Sequence, residues 1–188
     1  EMQDVKKHLD AGAKKVLVTA PCKDPNIPNI VMGVNDEDVD LDKYKVVSNA
    51  SCTTNCLAPV MKVLNKEFKV ERSFVNTVHA FTYTQNLLDN SNPEDFRRAR
   101  ATTESIIPTT TGAMKALGLV IPELEGKVDG MAFRVPVPTV SCIYVVAKLE
   151  KEVSAKDLNK MFKKYEEHEL SGILGTSDEP LVSVDFRG

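Results

Sequence analysis

One stretch constrains this chain more than any other: Ser48 to Pro59, reading Ser-Asn-Ala-Ser-Cys-Thr-Thr-Asn-Cys-Leu-Ala-Pro. A β-branched run, Tyr44 to Val47, enters it, and Leu57, Val60, Met61, Leu64 and Phe68 leave it at the spacing of one helical face. The chain must therefore turn from strand to helix at Cys52, with the helix running from about Ser51 to Phe68. Pro59 removes one amide bond inside that helix and is expected to bend or loosen its first turns.

Upstream, Met2 to Ala11 reads as a helix with Val5 and Leu9 on one face and Gly12 as its terminator. Lys15 to Ala20 follows as a strand closed by Pro21. Ile30 to Val34 reads as a second short strand and, after an acidic loop from Asn35 to Asp42, Tyr44 to Ser48 as a third. Helix, glycine and buried strand form the closing unit of a doubly wound sheet. A complete dinucleotide-binding domain also needs a strand, a Gly-x-Gly-x-x-Gly turn and an acidic residue about 20 residues later, and these are absent here.

Downstream of the helix, Phe74 to Phe81 alternates as a strand, with Val75, Thr77 and His79 on one face and Phe74, Asn76 and Val78 on the other. Thr82 to Pro108 is long, polar and weak in periodicity, as functional or partner-bound loops are. Thr109-Thr110-Thr111-Gly112 precedes a short helix, Ala113 to Leu119, and offers hydroxyls and amides for an anion or simply for capping. Met131 to Val135 and Ser141 to Leu149 read as strands, the second as a buried one. Ser154 caps a helix with Asp157 in its third position and Leu158, Met161, Phe162 and Tyr165 on its inner face. Leu181 to Phe186 reads as a last strand.

The chemistry centres on a thiol. A free cysteine has a pKa of about 8.5, and making its thiolate dominant at neutral pH takes about 3 to 4 kcal/mol, whereas a helix terminus supplies at most about 2. A second group is needed. Of the three histidines, His8 and His168 lie in charged, exposed, helix-like segments, while His79 sits near a strand end. Cys52 and His79 are thus a candidate nucleophile and base. Arg134, between apolar residues and close before Pro136, is a fixed arginine that calls for an anion or carboxylate. Cys56 reads as packing, or at most as an oxidation partner, because further Cys or His ligands for a metal are lacking at workable spacing. Cys22 and Cys142 receive the same bland reading.

Bulk properties narrow the classes. The 188 residues are 42% hydrophobic and 27% charged with a net charge of −3, which suits an ordinary globular protein and argues against a large nucleic-acid surface. Four irregularly spaced cysteines without a secretory apolar region argue against a disulfide framework and point to the cytoplasm. No apolar stretch has the length of a membrane span.

Ser51-Cys52-Thr53-Thr54-Asn55-Cys56 followed by Thr77-Val78-His79-Ala80 resembles phosphorylating glyceraldehyde-3-phosphate dehydrogenases. Arg97-Arg98-Ala99-Arg100, Ile107-Pro108-Thr109-Thr110-Thr111-Gly112-Ala113 and Gly130-Met131-Ala132-Phe133-Arg134-Val135-Pro136 repeat the family's other blocks in order. The resemblance implies an α/β plus α+β organisation. Residues 1–50 would be the tail of a doubly wound NAD-binding domain whose first half is absent. Residues 51–188 would be most of a catalytic domain with a mixed, largely antiparallel sheet and packed helices.

It further implies oxidative phosphorylation of glyceraldehyde 3-phosphate to 1,3-bisphosphoglycerate in glycolysis or gluconeogenesis. Cys52 would form a hemithioacetal and then a thioester, with hydride passing to NAD or NADP while His79 takes the hydroxyl proton, and without a metal. Thr82 and Arg134 would meet the substrate phosphate. Ser51, Thr53, Thr111 and Gly112 would line the site of inorganic phosphate, Arg98 would approach a phosphate, and Thr19 would touch the cofactor. The polar loop would pack at a subunit interface of a homotetramer.

Phe81, Tyr83-Thr84 and Val137-Pro138-Thr139 depart from the family's usual residues at points where local contacts are expected to differ. The family's later asparagine, which holds the nicotinamide amide, and its terminal helix are not in the sequence. The 188-residue chain by itself is expected to show a reactive Cys52 but negligible hydride transfer. Two rivals stand beside this reading. A cysteine–histidine acyl hydrolase would need a third orienting residue and no phosphate cradle, and a non-catalytic fragment or scaffold would use the long loop for association.

Overall fold

The computed structural model describes residues 2–22 and 24–187. Two compact units emerge. The first holds the chain up to Glu71, Ala113–Lys127 and Leu149–Thr176, and the second holds Arg72–Gly112, Val128–Lys148 and the chain from Ser177 onward.

In the first unit, helix α1 (Met2–Asp10) is ended by Gly12, whose φ of +99° suits a residue without a Cβ. Val5 on α1 is buried with Ile27 and Val46, against which Leu9, Val16, Val18 and Cys22 pack. Strands β1 (Val16–Val18) and β2 (Val46–Ser48) run parallel in the register Val16↔Val46 to Val18↔Ser48. Helix α2 (Cys52–Phe68) passes unbroken through Pro59 and buries Leu57, Ala58, Met61, Val63 and Leu64. It packs on α3 (Ala113–Val120), and Val63 joins Tyr165 and Leu170 in a cluster with Met161 and Phe162 of α4 (Ala155–Glu167). The cap of α4 is as expected, with the Asp157 amide donating to Ser154 Oγ at 3.1 Å.

The second unit is built on a four-stranded sheet in the order β4-β5-β3-β6. It comprises β3 (Val70–Ala80), β4 (Ile107–Thr109), β5 (Val128–Val135) and β6 (Cys142–Leu149), with the first two residues of β3 and the last of β6 counted in the first unit. β3 and β5 are parallel from Ser73↔Val128 to Ala80↔Val135, and β4 is antiparallel to β5. Ser73 Oγ donates to Val146 O at 3.0 Å and the Ala80 amide to Ser141 Oγ at 3.1 Å. Rising numbers on β3 thus meet falling numbers on and just before β6, as in an antiparallel pair. The sheet is mixed, as the family resemblance implies. Val75, Thr77 and His79 lie on the buried face, and Phe74 and Val78 on the open one.

Four expectations fail for identifiable reasons. Ile30 to Val34 is not a strand. The Val31 amide donates to Asn35 Oδ1 at 2.9 Å and the Gly33 amide to Asp36 Oδ1 at 2.8 Å, so these amides are taken up by the turn, and pairing with β2 stops at the Asn29↔Ser48 bridge, where the Ile30 amide donates to Ser48 O at 2.8 Å. Leu181 to Phe186 holds a 3₁₀ turn, Ser183–Phe186, because the carboxylate of Asp185 accepts from the Val182 amide at 2.7 Å. β6 is an edge strand, with Cys142, Tyr144, Val146 and Lys148 exposed and the alternate residues half-buried. Cys56 is exposed, since the first turns of α2 turn Thr53, Thr54, Leu57 and Ala58 inward instead.

Candidate active site

The turn into α2 is held by side chains from both directions. Ser48, fully buried, places its Oγ 2.8 Å from both Ala20 O and Asn29 Oδ1, and accepts the Ala50 amide at 3.1 Å. Asn55 Nδ2 donates to Asn49 O at 2.8 Å and to Ser51 O at 2.9 Å. These bonds hold Ala50 at a φ of +52°, a conformation that costs an alanine about 1 to 2 kcal/mol. Ser51 is the N-cap, its Oγ accepting from the Thr54 amide at 3.0 Å and lying 2.7 Å from Thr54 Oγ1. Cys52 is therefore the first residue of a 17-residue helix whose first turn carries no acidic group. Its thiol is exposed, with Thr53 Oγ1 4.0 Å away. The positive dipole end at such a position favours an anion. Thr19 is exposed just past the end of β1.

His79 and Arg134 occupy directly paired positions on β3 and β5 in the second unit. His79 Nδ1 lies 2.8 Å from Arg134 Nη1 and 2.6 Å from Ala80 O, and Arg134 Nη1 also donates to Ala80 O at 3.1 Å. The strand end is pinned on both sides, by Ser141 at the Ala80 amide and by Val137 O at the Phe81 amide, 3.2 Å away. Val140 beside Ser141 has a φ of +66°, which is costly for a β-branched residue.

Arg98 is brought to the threonine segment, with Nη2 donating to Thr109 Oγ1 at 2.9 Å and Nε 3.5 Å from Asp95 Oδ2. Asp95 is held below the usual carboxylate range by the Arg97 amide first, then by Arg97 and Arg98. Arg100 pairs with Asp89 at 3.2 Å. All three arginines thus pair within the polar loop, and Arg98 in addition reaches Thr109, the last residue of β4. Thr82 is bound locally, its Oγ1 lying 3.0 Å from Thr84 Oγ1 and its amide donating to Gln85 Oε1 at 3.0 Å.

The structure therefore groups Ser51, Cys52 and Thr53 in the first unit, and pairs His79 with Arg134 and Arg98 with Thr109 in the second. Sequence reasoning missed Ser48, Asn55 and Ser141, which position these groups. Their signal was present, since small polar side chains beside a strand end commonly satisfy turn amides. Among the described residues no group of three side chains could hold a metal ion, and no helix is long and apolar enough to cross a membrane.

These features define an α/β protein with a thiol at a helix start and a histidine–arginine pair on a mixed sheet. Residues 51–188 match the glyceraldehyde 3-phosphate dehydrogenase C-terminal domain, and the chain belongs to that family. It is similar to the glyceraldehyde-3-phosphate dehydrogenases of Priestia megaterium and Geobacillus stearothermophilus, each 55% identical over 98% and 99% of this chain and 55% of the relative. The chloroplastic glyceraldehyde-3-phosphate dehydrogenase B of Pisum sativum is 52% identical over 96% of this chain and 40% of its own length. The chain spans about half the length of the curated bacterial relatives it matches.

Proposed function

We propose that this chain supplies the catalytic part of a phosphorylating glyceraldehyde-3-phosphate dehydrogenase, with Cys52 as nucleophile and His79 as general base. The observation that carries the proposal is the placement of Cys52 as the first residue of α2, capped by Ser51 and without a carboxylate in the first turn. In this reading Cys52 Sγ adds to the aldehyde carbon of glyceraldehyde 3-phosphate, and the amides of the helix start and His79 steady the oxygen that becomes negative. His79 accepts the hydroxyl proton as the carbon is oxidised, leaving an acyl thioester on Cys52. Inorganic phosphate, drawn to Ser51, Thr53, Thr111 and Gly112, releases the acyl group as an acyl phosphate. Thr82, Arg98 and Arg134 offer hydroxyl and guanidinium donors to the phosphates.

NAD or NADP supplies the hydride acceptor when bound. The residues present fit one edge of its site, because ligands of parallel sheets lie beyond the carboxyl ends of the strands, where Thr19 follows β1 and Asn49 follows β2. Residues 1–50 are read accordingly as part of the NAD-binding domain. A homotetramer in the cytoplasm completes the proposal.

Alkylation tests it. Cys52, Cys56 and Cys142 are all exposed, so exposure does not distinguish them, and a difference in rate reports chemical activation. Limited iodoacetamide treatment at neutral pH, read by peptide mass spectrometry, is expected to label Cys52 first. Its alanine variant should lose phosphate-dependent oxidation of glyceraldehyde 3-phosphate. Labelling of Cys142 at the same rate as Cys52 would overturn the assignment.

A further inference from the structure

Arg98 is a cation whose hydrogen-bonding capacity is largely unused. A guanidinium carries five N–H donors. Among the described residues its one side-chain hydrogen bond runs from Nη2 to Thr109 Oγ1 at 2.9 Å, and Thr109 is buried. Its Nε is buried without a hydrogen bond, although Asp95 Oδ2 lies 3.5 Å away. A carboxylate that forked this arginine would sit at about 2.7 to 2.9 Å and fill two donors at once. Asp95 does neither.

Asp95 is kept back by its own turn. Its Oδ1 accepts from the Arg97 amide at 2.9 Å and lies 3.4 Å from Arg97 Nε, its amide donates to Asn92 Oδ1 at 3.2 Å, and its carbonyl accepts from the Arg98 amide at 3.0 Å. The carboxylate stays ionised at neutral pH, because the Arg97 amide first, and then Arg97 and Arg98, hold it below its usual range. Arg98 is thus fixed by a hydroxyl at one nitrogen and by a charge at another. Its side chain is 28% exposed, and its remaining Nη hydrogens have no acceptor among the described residues. An anion arriving there meets the guanidinium and, beside it, a fixed negative charge.

We propose that Asp95 sets the phosphate affinity of Arg98: it orients the guanidinium by charge without occupying its Nη donors, and it opposes the anion that takes them. The inference rests on the role given to Arg98 above, that of meeting a phosphate, and adds the residue that limits how tightly. Phosphate is an anion at neutral pH, so the opposition acts on it and not on a neutral ligand. A moderated hold suits a site through which phosphate must turn over, since equal tightening of ground state and transition state lowers KM without raising kcat. Asp95 touches no reacting atom and acts through Arg98, as a positioning residue does.

The test is the affinity of the complete protein for inorganic phosphate, measured by isothermal titration calorimetry and as the KM for phosphate. Asp95→Asn keeps an oxygen for the Arg97 amide and removes the charge. It is expected to tighten phosphate binding about 3- to 10-fold at low salt, as one charge a few ångströms beyond an exposed contact should, with the gain shrinking as salt screens it. The KM for unphosphorylated glyceraldehyde should stay where it was, which a merely loosened loop would not allow. Arg97→Gln leaves Asp95 charged and less neutralised, and is expected to weaken phosphate binding about 2- to 3-fold. That loss should largely disappear when Asp95→Asn is added, because Arg97 acts through Asp95. A folding defect in one variant leaves the other to decide. Unchanged or weaker binding in a folded Asp95→Asn, or unchanged binding in Arg97→Gln, would overturn the proposal. Arg98→Gln separates it from the proposed function: phosphate binding like the wild type there removes the role of Arg98 itself, whereas loss of phosphate there without a gain in Asp95→Asn sinks this inference alone.

Discussion

Gly33 is the position at which a single methyl group should do most damage to the first unit. Its φ is +73°, and a Cβ built there would lie 2.5 Å from Ile173 Cδ1 and 2.9 Å from Leu170 Cδ2. The backbone has little freedom to turn away, because its amide donates to Asp36 Oδ1 at 2.8 Å and its carbonyl accepts from Lys62 Nζ at 2.7 Å. Ile173 is 43% exposed and can swing outward, whereas Leu170 is fully buried beside Val63 and Tyr165 and cannot. For Gly33→Ala the left-handed backbone costs about 1 to 2 kcal/mol and overpacking against Leu170 about 1 to 3, offset by about 0.4 to 1 from the less flexible unfolded chain. The net is about 1 to 5 kcal/mol.

At about 2 to 4 °C per kcal/mol for a domain of this size, the Tm should fall by about 2 to 20 °C. Gly12→Ala is the control. Its φ is +99° but nothing lies within 4 Å of the added carbon, so it carries the backbone cost alone, about 1 kcal/mol. Thermal unfolding followed by far-UV circular dichroism compares the two. Equal shifts for both variants would refute the packing argument.

Three further outcomes are expected. Burial first, and the carboxylate of Glu67 second, push the Tyr165 hydroxyl up to about 12, so its contribution to stability is complete below about pH 10 and is lost as pH rises to about 12. Tyr165→Phe should flatten that alkaline loss in urea titrations, and an unchanged alkaline limb would show that the hydrogen bond to Glu67 is not its source. His79→Asn should slow acyl-enzyme formation by about 10²- to 10⁴-fold in single-turnover experiments, and wild-type rates would leave His79 a core residue only. Arg134→Ala should lower kcat/KM for glyceraldehyde 3-phosphate far more than for unphosphorylated glyceraldehyde, because a charge-assisted contact is lost; an unchanged ratio of the two would assign Arg134 a structural role.

Much of this molecule was legible because its signals are local and periodic. The apolar spacing of α2 and the Ser154–Asp157 cap of α4 appear where sequence rules put them, since each depends on residues within one or two turns. The alternation around His79 likewise marked its face correctly, because a strand's period survives whatever the sheet's order. Ile30 to Val34 and Leu181 to Phe186 misled for the complementary reason. Both are apolar enough to look like strands, but a strand exists only if a neighbour takes up its amides. Asn35 and Asp36, just past the first segment, take up the Val31 and Gly33 amides, and Asp185, inside the second, takes up the Val182 amide. β6 failed differently: a Val-rich run suits a central strand and an edge strand equally, and sheet order is a long-range property.

The candidate site was legible in its residue types and not in its backbone. Cys52, His79 and Arg134 stood out as groups whose chemistry needs a fixed environment, but nothing about Ala50 or Val140 announces a positive φ, because neither residue prefers one. The strain is imposed from outside. Ser48 and Asn55 bond the turn around Ala50, while the Ala80 amide bonds Ser141, the neighbour of Val140. In each unit, therefore, a residue held in an unfavourable conformation adjoins a segment that carries a candidate catalytic side chain or its support. A conformation costing about 1 to 3 kcal/mol persists only where surrounding bonds over-determine it. Those same bonds aim the Cys52 helix start and pin the backbone at Ala80, next to His79. Local rules fail at these two turns because the backbone there is set by what the site must hold still.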